Sequence, residues 1–222
     1  MNTDNLILAV IVFFLSLGSS FLLAVLGHWF PLEKDFKGSI LKAKENKKVT
    51  VATFAVTPII SAAAVMFAPS FLLGVLFTVL TWALTVIFVV DFRTYEIPFK
   101  VNVLIFLLGV VRLFTDLSSW PLYLIGFFAI SVPLAAIYYA SKGRAIGFGD
   151  VKMMAACGML IGWKCAVLAL MIGCIVGSVV HLLRMKFEDE GAVLAMGPYL
   201  AIGVYISAIF GNMAIDAYLT LF

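Results

Sequence analysis

Residues 71–90 form twenty consecutive positions without a charge, and the run stops only at Asp91. A helix of about 20 apolar residues is what crosses the hydrocarbon core of a bilayer. Comparable runs occupy residues 6–26, 49–68, 120–140, 165–183 and 196–222, with shorter ones at 101–114 and 151–161. The chain is 64% hydrophobic and only 12% charged, where soluble domains are nearer a quarter charged. Lipid must therefore act as solvent for most of it. A bilayer cannot hydrogen-bond a bare backbone, so spans are helices or closed barrels. Barrels alternate polar and apolar residues, whereas these runs are continuous. The sequence predicts an all-α polytopic membrane protein of about eight transmembrane helices.

The basic residues supply the orientation. With eight spans, the loops at 28–48, 91–100, 141–152 and 184–191 share one face and hold thirteen of the fifteen Lys and Arg residues. The positive-inside rule makes that face cytoplasmic and puts both termini outside. Trp29, Trp120 and Trp163 fall near span ends, where amphipathic rings settle. Asp4 and the lack of an early Lys or Arg argue against a cleaved signal peptide, so the first apolar run reads as a retained helix. No soluble domain or repeat is evident. One transmembrane domain over residues 1–222 is expected, with a short cytoplasmic loop at 28–48 and a short amphipathic helix near Ile40 and Leu41.

Several ligand classes find no support. The net charge of +3 has a simpler use at a membrane surface than in binding nucleic acid. Cys157, Cys165 and Cys174 sit in apolar stretches with no CxxC pair, and read as small core residues. His28 and His181 form no motif. Neither a metal nor a cofactor is expected.

Acids at a membrane border are costly to bury, and those that remain are often functional. Most here lie in loops; Asp116 is in a turn and Asp216 stands alone in the last helix. Asp91 and Asp150 differ. Each marks a junction between an apolar run and a cytoplasmic loop, so both have similar depth on one face. Asp91 closes the third span. Asp150 follows Gly147-Phe148-Gly149 and opens the helix that begins Val151-Lys152. The two glycines strip side chains from beside the carboxylate and let another backbone approach. Two carboxyls at one site suit hydrolysis of a peptide: one takes a proton from water, the other polarises the carbonyl, and one proton is retained between them. By spacing alone, ion-path, capping and loop roles are the commoner use of two helix-end aspartates.

The segment Gly147-Phe148-Gly149-Asp150-Val151-Lys152 resembles the GxGD signature of type IV prepilin peptidases, in which a Lys commonly stands two residues after the Asp. Asp91 followed by Ile97-Pro98 resembles that family's first catalytic aspartate. Gly18-Ser19-Ser20-Phe21 through Pro31, and Met196-Gly197-Pro198, are similar to its first-helix and last-helix motifs. The resemblance implies that Asp91 and Asp150 are the catalytic pair, that Gly147, Gly149, Ile97 and Pro98 shape the site, and that Lys152 and Glu96 neighbour it. It implies cleavage of the basic leader from prepilins or pseudopilins, at the cytoplasmic border of the cell's inner membrane, before their hydrophobic N-terminal helix. Many bacterial members carry a CxxC-containing insert after the first helix and also methylate the product. Residues 28–48 contain no cysteine, so leader cleavage is carried over and methylation is left open. The alternative reading is a multi-pass transporter with Asp91 and Asp150 as a proton or cation relay. It predicts acids near mid-span, whereas here, apart from Asp216, they gather at one face.

Overall fold

The computed structural model describes residues 3–29, 47–187 and 195–221. Among them the chain is helical, without strands: α1 (Thr3–Trp29), α2 (Lys47–Met66), α3 (Phe71–Thr94), α4 (Phe99–Thr115), a 3₁₀ turn (Leu117–Ser119), α5 (Trp120–Ala140), α6 (Phe148–Ile161), α7 (Trp163–Phe187) and α8 (Gly197–Leu219). The segments 71–94, 117–140, 163–186 and 197–219 are long and apolar enough to cross a membrane. The chain is a helical multi-pass membrane protein. Most of the expected 28–48 loop, with the proposed helix at Ile40 and Leu41, lies outside the described residues.

The helices fall into two compact units, residues 1–94 and 95–222. In the first, α1, α2 and α3 pack on one another. Ala9, Val12 and Val65 form a buried apolar cluster extended by Leu8 and Ala62. A polar tie crosses it: the Trp82 indole donates to Ser16 Oγ at 3.2 Å and to Ser61 Oγ at 3.1 Å, and both serines are fully buried. Pro58 sits inside α2, which neighbouring helices tolerate in a bundle of this kind. Thr78, Thr81 and Thr85 each donate to the carbonyl four residues back, so their hydroxyls need no other partner.

In the second unit α6 is the centre. Asp150, Val151 and every residue from Met153 to Leu160 are buried, against α4, α5, α7 and α8. Glycines allow the close crossings, as small residues do between membrane helices. A Cβ on Gly126 would collide with the Gly158 carbonyl, and one on Gly158 with the Gly126 carbonyl. Gly109 faces Met159, 3.0 Å from where its own Cβ would stand. With Ile97 against Gly149 at the other end, α4 and α6 run parallel. Gly162 joins α6 to α7 at φ 80°, in the left-handed region that suits glycine. On α8, Ser207 Oγ donates to the Cys165 carbonyl of α7 at 2.6 Å.

Two helix ends differ from the sequence expectation. The third apolar run was expected to stop at Asp91, yet α3 continues to Thr94. Its hydrogen-bond ladder persists past the last apolar residue, and Thr94 Oγ1 donates to the Val90 carbonyl at 3.0 Å. Tyr95 then turns the chain at φ 57°, a common way to end a helix. Nor does Asp150 open its helix. Gly147 is the N-cap and α6 starts at Phe148, which places Asp150 at the third helical position.

Candidate active site

In the first unit, Asp91 lies within the last turn of α3 and is 4% exposed. Val89 and Val90 beside it are buried as well, while Phe88 and Phe92 stack on the same helix with ring centroids 6.3 Å apart. The helix positions the carboxyl by continuing one turn beyond it, so Asp91 is held by regular backbone rather than by a loop.

In the second unit, Asp150 is 7% exposed in the first turn of α6. The N-terminal end of a helix carries partial positive charge and favours a carboxylate. The Asp150 N–H donates to the Gly147 carbonyl at 3.2 Å, which folds the first turn tightly. A Cβ on Gly147 would lie 3.1 Å from Asp150 Oδ2. Glycine at 147 therefore leaves the carboxyl room on that side. Gly149 leaves room for Ile97 instead, whose Cβ would stand 3.1 Å from a Cβ at 149.

Ile97 and Pro98 prepare the start of α4. Pro98 is its N-cap, extended at φ −62° and ψ 123°, and its carbonyl accepts from the N–H groups of Val101 and Asn102 at 3.1 and 3.3 Å. The Ile-Pro pair thus begins one helix while its isoleucine packs on the glycine that begins another. The Lys152 ammonium, on the exposed side of α6, sits 4.7 Å from the Phe148 ring centroid and 5.2 Å from that of Phe99. Such cation–π contacts are each worth about 0.5–1 kcal/mol when exposed. Glu96 is exposed.

Of the residues singled out from sequence, the second unit brings Ile97, Gly147, Gly149, Asp150 and Lys152 to one end, with Pro98 starting the adjoining helix. Asp91 belongs to the first unit. Asn102 escaped the sequence reading. It is buried on α4, and its signal was an amide inside an apolar run. Among the described residues, no three His, Cys, Asp or Glu side chains group closely enough to hold a metal ion.

Residues 78–182, which include both aspartates, match the model of the type IV leader peptidase family. A prepilin leader peptidase/N-methyltransferase of Stutzerimonas stutzeri is 28% identical over 152 residues, 63% of this chain and 51% of that protein. Proteins of the same name are 28% identical over 150 residues in Aeromonas hydrophila (64% of this chain, 52% of the relative). The Pectobacterium carotovorum protein is 29% identical over 127 residues, covering 54% of this chain and 46% of the relative. The chain spans about half the length of these curated relatives. No solved structure matches. Over residues 78–182, just under half of the chain, the sequence is similar to the type IV leader peptidase family, the family that the motifs resemble.

Proposed function

We propose that this chain is a membrane aspartyl endopeptidase that removes the leader from prepilins or prepilin-like pseudopilins. Asp91 and Asp150 are its catalytic pair. The observation that carries the reading is the setting of Asp150: a buried carboxyl in the first turn of α6, with glycines at 147 and 149 and the Ile-Pro residue Ile97 packed beside it. The family match over both aspartates supports it.

One carboxylate acts as general base and takes a proton from water, which attacks the scissile carbonyl. The other, protonated, hydrogen-bonds that carbonyl and then passes its proton to the leaving amine. The chain residues perform the whole reaction without a covalent intermediate. The distribution of Lys and Arg supports eight crossings with both termini outside, and a site on the cytoplasmic face of the inner membrane. There a basic leader meets the aspartates while the hydrophobic helix of the substrate stays in lipid. The two units together make one peptidase domain.

The test mixes the purified protein in detergent with a peptide holding a basic leader and the start of an apolar helix. Wild type should cleave at one bond. Asp91→Asn and Asp150→Asn should each lose at least about a thousandfold in rate, as expected when a positioned acid or base is removed, yet keep the wild-type melting temperature. Cleavage at the wild-type rate by either variant would overturn the assignment.

A further inference from the structure

α4 carries a polar side chain into the interior of the second unit. Asn102 is 4% exposed, and neither its Nδ2 nor its Oδ1 has a hydrogen-bond partner among the described residues. It belongs to the buried face of α4 with Val101, Ile105 and Gly109. That face lies along α6, because Ile97 meets Gly149, Lys152 covers Phe99 and Gly109 meets Met159. Asn102 therefore stands about one helical turn deeper than the Phe99–Lys152 contact, beside the first turns of the helix that bears Asp150.

Leaving a buried amide unpaired is unfavourable, and a helix bundle in lipid has little water to compensate. A leucine, with the same branching and number of side-chain heavy atoms, would carry no such cost. The carboxamide also has a particular complementarity. It presents a donor and an acceptor in one plane, which matches the C=O and N–H of an extended peptide. Main-chain pairing of that kind is how extended segments are commonly held.

We infer that the Asn102 carboxamide is a substrate-binding group: Nδ2 donates to a main-chain carbonyl of the substrate and Oδ1 accepts from a main-chain N–H, next to Asp150. The ligand is an extended peptide backbone, whatever its side chains. The inference rests on the peptidase reading above.

The experiment scans the leader peptide with single ester bonds, each replacing one main-chain N–H by oxygen, against wild type, Asn102→Leu and Asn102→Ala. For wild type, one ester position near the cleavage site should raise KM roughly tenfold, the effect of one lost hydrogen bond. In both variants the all-amide peptide should show at least that rise in KM, because both hydrogen bonds are lost, with little change in kcat, and the ester at that position should add nothing. Asn102→Leu should melt at or above the wild-type temperature. Equal ester penalties in wild type and variants would overturn the inference, and so would a wild-type KM in both variants. If both variants melt well below wild type and keep the ester pattern, the amide is structural and the inference fails. If wild type and Asp150→Asn alike cleave no peptide, the peptidase reading itself has failed, an outcome distinct from cleavage with indifferent esters.

Discussion

Gly149 and Ile97 share one packing site: a Cβ on the glycine would fall 3.1 Å from the Cβ of the isoleucine. Real side chains rarely come so close, so Gly149→Ala must push the start of α4 from the start of α6. Overpacking of this kind costs about 1–3 kcal/mol, a fall in melting temperature of roughly 2–12 °C for a chain of this size. The approach is Cβ to Cβ, so adding Ile97→Ala should restore little. Full recovery in the double variant would show that the strain lies elsewhere.

Gly147 acts on the carboxyl itself. Its Cβ would stand 3.1 Å from Asp150 Oδ2 and meets no other part of the fold as closely. Gly147→Ala should leave the melting temperature within about 2 °C, as for a surface change, while leader cleavage falls at least roughly tenfold. Unchanged cleavage would mean that the Asp150 carboxyl does not need that space.

The crossing of α5 and α6 admits no side chain. Gly126→Ala and Gly158→Ala each drive a methyl group into the opposite helix carbonyl, and each should cost about 3 kcal/mol or more. Gly18→Ala is the control, since nothing lies within 4 Å of the added carbon; it should be neutral or slightly stabilising. Unfolding in detergent, followed by circular dichroism, ranks the three.

Trp82→Phe removes the donor that ties Ser16 and Ser61 across the first unit. The loss should be about 1–3 kcal/mol, and Ser61→Ala should remove part of the same contribution. The two effects should be less than additive, because they break one shared hydrogen bond.

Outside the spans, Asp116 sets a pH dependence. Ser118 Oγ and Tyr123 Oη each donate to its carboxyl at 2.7 Å, and these bonds, with Arg112 3.7 Å away, hold its pKa below the usual carboxylate value. A depressed folded pKa contributes stability above the unfolded value of about 3.9, and that contribution is lost as pH falls through the folded value. Asp116→Asn should therefore melt below wild type at pH 7, and the two curves should converge in acid. A gap that persists unchanged below pH 3 would assign the effect to packing.

Hydropathy locates helices well in this chain because each must satisfy its own backbone in lipid. It locates their ends poorly. The apolar run stops at Val90, but α3 ends at Thr94, since the hydrogen-bond ladder is indifferent to whether its next side chain is charged. Asp150 looked like the residue that opens α6, yet Gly147 caps it; backbone conformation at a glycine leaves no mark in hydropathy. Ile97-Pro98 and Gly147-Phe148-Gly149 were legible as motifs, but their contact was not, because it depends on α4 and α6 being neighbours in the bundle. Asn102 went unnoticed for a similar reason. Its meaning lies in which face of α4 it occupies.

The shortness of α6 changes what the bilayer means to this protein. Fourteen residues rise only about 21 Å, well under the roughly 30 Å of hydrocarbon. Such a helix facing lipid would pinch the membrane or draw polar groups inward. α6 is surrounded by protein instead, and its solvent is the side chains of α4, α5, α7 and α8. Acyl-chain length therefore acts on the outer faces of its neighbours and reaches Asp150 only through them. The helix that holds the carboxyl is insulated from the thickness of the membrane in which it lies.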